Sequence, residues 1–208
     1  MTLFLAVLVT FAQQSLTYMS ALVVAIAAPE LAKVMNVPVA MAGYHIGLMY
    51  LFASISMLMV GGFIRKFGAI RMSQIALFSM AIGLGIGVTG EVWALATGAI
   101  IIGTCGASST PASSDILARY APPKYAAVIF SIKQTAVPAG GIIAGILVPY
   151  LNYNFGWQSI FYATSTMCFA LAVLLQPFSR LFDNNRNPDH HISVLQAWHT
   201  LRGVLVPR

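Results

Sequence analysis

Charge is scarce in this chain of 208 residues: 8% of them are charged, and only five are acidic. Soluble domains carry roughly a quarter charged residues. With 59% of the residues hydrophobic, no soluble fold of this length could bury its apolar surface. The deficit excludes a soluble domain and implies an integral membrane protein. Cysteine is nearly absent as well. Cys105 and Cys168 both fall inside apolar runs, without metal-ligand spacing to a His or another Cys. No disulfide framework, metal site or cofactor is expected from them. Strict apolar–polar alternation is also missing, which excludes a transmembrane β-barrel. The formal charge of +6 says little about nucleic acid in such a chain, and no nucleic-acid partner is expected; the position of each charge matters more.

What the sequence does have is long apolar runs. A helix needs about 20 residues to cross a hydrocarbon core of about 30 Å. Six segments qualify, at about 3–28, 41–63, 72–90, 93–118, 126–149 and 158–177. No basic residue precedes the first run and the run continues through Val23 and Val24, so it reads as a retained span and not as a cleaved signal. Breakers separate the spans: "PELAKVMNVP" (29–38), the basic "RKFGAIR" (65–71), Glu91, "RYAPPK" (119–124) and "NYNFGWQ" (152–158).

The basic residues are distributed unevenly. Arg65, Lys66, Arg71, Arg119, Lys124, Arg180, Arg186, Arg202 and Arg208 fall in the even-numbered loops and the tail, whereas the other loops hold only Lys33. By the positive-inside rule both termini are expected in the cytoplasm. Trp93 and Trp157 then lie at the outer interface, where amphipathic rings are favoured. Residues 178–208 are expected to form a cytoplasmic linker. Within it Ile192, Leu195, Trp198, Leu201 and Leu205 repeat at helical spacing, as in an amphipathic helix on the membrane surface.

Polar residues inside the spans are the candidate functional positions. Lys133 lies on the order of 10 Å inside the fifth span at 1.5 Å per residue. An unpaired charge at such depth costs at least ~2.5–3.5 kcal/mol. Three readings are open: a pair with Asp115, the one acid within a span; a snorkelled stem; or an ammonium facing an aqueous path that attracts an anionic solute. Gln134 beside it could donate and accept hydrogen bonds. Gln14 and Tyr18 share one face of the first span by their i,i+4 spacing, either bonding another helix or lining a cavity. Pro111 and Pro138 sit near the middle of spans four and five, where each frees a carbonyl and marks a kink. Ser108, Ser109, Thr110, Ser113, Ser114 and Thr135 are at hand to satisfy those carbonyls. Gly83/Gly87 and Gly141/Gly145 form GxxxG pairs that suit close helix packing.

Two stretches carry a family resemblance. "GGFIRKFGAIR" (61–71) resembles the G-x-L-a-D-R-x-G-R-R signature of the major facilitator superfamily: Gly61, Phe63, Lys66 and Gly68 fit, and Arg71 ends the stretch, but Arg65 stands where the acid belongs. "TPASSDILARYAPPKYAAVIFSIKQTAVPAGGIIAG" (110–145) is similar to bacterial members often called cyanate-permease-like. The span-four R-x-x-Q-G arginine has no counterpart, because Ala99 and Ile102 precede Gly103.

The resemblance implies an all-α membrane protein whose six helices form two inverted three-helix repeats, one half of a major facilitator fold. It implies transport of a small polar solute, an anion among the candidates, by alternating access in a bacterial plasma membrane. It also implies a second six-helix bundle as partner, either a missing second half or a second copy, alongside the lipid bilayer and the solute. The substrate path would be lined by Gln14, Tyr18, Ser109, Lys133 and Gln134, and Gly61, Arg65, Lys66, Gly68 and Arg71 would form a gating loop. The alternative is a membrane assembly subunit, or a fragment, without transport. An intramembrane hydrolase is disfavoured: "GASS" (106–109) lacks a final glycine, and Asp115 has no second acid for an aspartyl dyad.

Overall fold

The structure, a computed structural model, describes residues 2–190. The amphipathic segment expected at 192–205 lies outside the described residues. Within them the chain is helical: α1 (Thr2–Ile26), α2 (Ala28–Met35), α3 (Met41–Phe67), α4 (Ala69–Gly87), α5 (Val92–Gly106), α6 (Ser109–Tyr120), α7 (Ala126–Gln134), α8 (Ala136–Phe155), α9 (Trp157–Leu174) and α10 (Gln176–Phe182). Six helical stretches are long and apolar enough to cross a membrane: α1, α3, α4, Val92–Tyr120, Pro123–Phe155 and α9.

Local chemistry explains the boundaries. Pro29 opens α2, and Asn36 closes it with φ 53°, so the segment after α1 is a separate short helix and not the end of the first span. Gly68 (φ 99°) and Gly156 (φ 82°) are the hinges between α3 and α4 and between α8 and α9. Both take a backbone conformation that glycine adopts without a steric penalty.

Spans four and five are each broken in two. The break lies at residues 107–108 in one and at Thr135 in the other. Pro111 and Pro138 are each the third residue of the second piece, where the backbone N–H would have no helical partner in any case. Hydroxyls at the breaks bond carbonyls of the preceding helix and of α4, and not the Ala107 and Gln134 carbonyls that lie four residues before the prolines. Ser108 Oγ donates to Cys105 O at 2.7 Å and to Met72 O at 3.2 Å. Thr135 Oγ1 donates to Ile132 O at 2.6 Å.

The packing has a symmetry between the two halves of the bundle. Span one packs along α8 of span five, and span two packs along α5 of span four. An exchange of helices one to three with four to six maps one pair onto the other, as inverted repeats require. Each pair closes on a glycine: a side chain at Gly103 would overlap Met49 O, and one at Gly140 would overlap Ser15 O. The two GxxxG pairs behave differently. Gly83 meets span four directly, since a Cβ there would lie 2.6 Å from Ile102 Cγ1 and 2.9 Å from Gly98 O. Gly145 faces open space, and the buried small-residue row of α8 is Ala136, Gly140, Ala144 and Val148. That row is one residue out of register with the Gly141/Gly145 pair. Helix α4 sits at the centre, against α5 and α9, and α3 lies at the periphery with most of its apolar side chains outward.

Candidate functional site

The interior of a membrane bundle offers no water to a polar group, so each must find a partner. Gln13, Gln14 and Thr17 on α1 meet Ser109, Thr110 and Ser113 on α6 in one polar seam. Gln14 Nε2 donates to Thr110 Oγ1 at 2.9 Å, and its Oε1 accepts from Ser113 Oγ at 2.9 Å. Gln13 Nε2 donates to Ser109 Oγ, which donates in turn to Thr17 Oγ1 at 3.2 Å. Gln13 Oε1 is buried with no donor among the described residues. The break before α6 makes the seam possible, because it turns Ser109 and Thr110 at the start of a new helix toward α1.

Lys133 lies in the last turn of α7 next to this seam and is 2% exposed. Its Nζ donates to Ser114 Oγ at 3.1 Å and lies 3.4 Å from Thr110 O. The Lys133–Asp115 pair expected as one reading does not form. Asp115 turns instead to Arg119, four residues on along α6, at 2.9 Å. The helix geometry explains this: i,i+4 neighbours share a face, whereas Ser114 and Thr110 present a different face to α7. The snorkelled reading also fails, since the ammonium is enclosed by α6. Among the described residues, no carboxylate lies within ion-pair distance of Lys133.

Thr110 joins the seam to a cavity of about 260 Å³ between spans one, two and four. Thr17, Tyr18, Ser109 and Thr110 give this cavity one polar wall, and Met49, Tyr50, Ser54 and Met57 of α3 line the other side. Of the expected path residues, Tyr18 and Ser109 therefore line the cavity. Gln14 is spent in helix–helix hydrogen bonding behind it, and Lys133 is one residue removed, behind Thr110. Gln134 is exposed on the outside of α7 and belongs to neither cavity nor seam.

The stretch 61–71, expected as a loop, is helical at the other end of the bundle: Gly61, Arg65 and Lys66 belong to the end of α3, Arg71 to the first turn of α4, and Gly68 alone joins the two helices. Gly61 is exposed with nothing within 4 Å of a would-be Cβ, and Arg65 and Arg71 are also exposed. Lys66 Nζ lies 5.9 Å over the Phe67 ring. Gly68 is tightly held: any side chain there would overlap Asp183. Asp183 accepts from Ile70 N at 2.8 Å and from Arg71 N at 3.1 Å. It thereby caps the first turn of α4, where the helix dipole favours an anion. Asn187 N donates to Arg65 O at 2.8 Å, and Arg119 Nη1 donates to Phe182 O at 2.9 Å and to Asn185 Oδ1 at 2.7 Å. Burial raises the Asp183 carboxyl above its ordinary value, against the pull of the Ile70 and Arg71 backbone N–H donors and of the Arg119 and Arg71 charges.

Sequence reasoning put Asp183 in a polar linker and missed this role. A signal was available: α4 starts after a glycine, which brings no capping side chain of its own, so an acceptor must come from elsewhere.

The bundle and its enclosed polar seam define a multi-pass α-helical membrane protein. The chain belongs to the Major Facilitator Superfamily, whose profile matches residues 3–205. Its fold matches 33 solved chains. One is the POT family transporter PepTSo, whose structure was determined in meso, with a TM-score of 0.68 at 15% identity. The alignment covers 88% of this chain and 39% of that one, so the present chain spans well under half the length of this structural relative. No curated protein matches the sequence.

Proposed function

We propose that the chain acts as the N-terminal half of a secondary transporter for a small polar solute, with an anion preferred, working by alternating access. It would rock against a second six-helix bundle in a bacterial plasma membrane, with both termini cytoplasmic. Membership of the superfamily and the fold shared with a transporter support the transport part of this reading.

The observation that carries the anionic preference is Lys133, a buried ammonium with hydroxyl and carbonyl partners and no carboxylate. Its field reaches the Tyr18–Ser109–Thr110 wall through a single residue, in surroundings where charge is weakly screened. The α3–α4 junction at Gly68, braced by Asp183, would serve with Gly61, Arg65, Lys66 and Arg71 as the gate at the cytoplasmic end.

Uptake of a radiolabelled small organic anion by cells expressing the complete reading frame tests the reading. Lys133→Ala should abolish it and Lys133→Arg should retain a measurable fraction. Equal uptake in both variants would remove Lys133 from the mechanism.

A further inference from the structure

A second cavity, of about 360 Å³, opens beside the capped end of α4. Arg71, Ser179, Arg180, Asp183, Asn184 and Arg186 line it. Three arginines thus line one pocket, and none has an ion-pair partner within 4.0 Å among the described residues. The one carboxylate in the wall, Asp183, already accepts from Ile70 N and Arg71 N, so the pocket keeps an excess of positive charge. Guanidinium forks match the oxygen geometry of phosphate.

We propose that this pocket binds a phosphate group, and that the phosphate belongs to an anionic phospholipid of the leaflet at this end of the bundle. The position favours a lipid over a free ion. Arg71 is in the first turn of membrane span α4, and Ser179 and Arg180 closely follow span α9, which puts the pocket at headgroup depth. Leu181 exposes apolar surface on the same short helix, α10, that supplies Ser179 and Arg180. Basic pockets between spans on this kind of surface suit anionic headgroups.

The test uses the purified chain in neutral detergent, with thermal unfolding followed by tryptophan fluorescence. Short-chain phosphatidylglycerol should raise the midpoint, and zwitterionic phosphatidylcholine should not. The apparent affinity for phosphatidylglycerol should fall about fivefold for each guanidinium removed in Arg180→Gln and Arg186→Gln. Lys33→Gln, at the opposite end, should leave it unchanged. An undiminished phosphatidylglycerol response in the double variant would overturn the site. A shift with inorganic phosphate as large as that with phosphatidylglycerol would overturn the lipid assignment. Should the double variant not fold, each single variant, at an exposed position, decides the matter through its own fivefold loss or the lack of one.

Discussion

Lys133 Nζ donates to Ser114 Oγ at 3.1 Å, while Asp115, the next residue along α6, turns its carboxylate to Arg119 at 2.9 Å. The bundle keeps its mid-membrane cation and its nearest acid on separate faces of one helix. A buried cation without a counter-ion does not stabilise the fold; its presence asks for a purpose beyond packing.

Replacement of that cation by an apolar side chain of similar length should separate stability from activity. Lys133→Met should leave the unfolding midpoint in detergent unchanged or raised, because the desolvation penalty disappears. Uptake of an anionic solute should fall by more than about tenfold, the equivalent of ~1.4 kcal/mol. A variant that unfolds while the rest of the chain is intact would point to a structural role for the ammonium.

Asp115→Asn removes only a half-exposed pair with Arg119 and should change stability by no more than ~1 kcal/mol. Transport should persist. A loss of activity as deep as that of Lys133→Met would show that the two residues act together after all.

Gly103 and Gly140, which touch backbone, should be far less replaceable than a glycine that does not. Gly140→Val drives a side chain into Ser15 O and Gly103→Val into Met49 O, at a cost of about 1–3 kcal/mol or more. Gly145→Ala faces open space within a helix and should be neutral or stabilising by up to ~1 kcal/mol. Thermal unfolding of the three variants, side by side, measures the contrast.

Asp183→Ala strips two backbone donors of their acceptor and should cost about 1–2 kcal/mol. The pH dependence has a definite sign. Burial raises the carboxyl above its ordinary value, so the folded state holds the proton more tightly than the unfolded state. Its contribution to stability is then greatest on the acid side and declines as pH rises through the window above the ordinary carboxylate value. The advantage of the native chain over Asp183→Asn, which cannot ionise, should shrink over that window. An advantage that grows with pH would contradict the assignment.

The spans were legible because apolar length is a property of the chain itself. The breaks in spans four and five were legible for the same reason, since Pro111 and Pro138 act locally. What escaped were relations across the sequence. Asp183 caps a helix that starts more than a hundred residues earlier, and its neighbours 184–187 have the composition of an ordinary linker. The partner of Lys133 was ambiguous because Ser114 and Asp115 are adjacent and only the rotation of α6 chooses between them. Gly140 and Gly141 pose the same problem: the motif at 141 and 145 satisfies a pattern, whereas burial follows the helix face one residue away. Gln134 was grouped with Lys133 by adjacency, although neighbouring helical residues point about 100° apart, at 3.6 residues per turn.

The buried ammonium has an electrical consequence. A full charge carried across the membrane field exchanges about 2.3 kcal/mol per 100 mV. If this bundle rocks with Lys133 inside it, the empty form moves part of that charge and feels the voltage. An anion seated beside the ammonium would cancel the moving charge, so the loaded form would cross almost free of the potential.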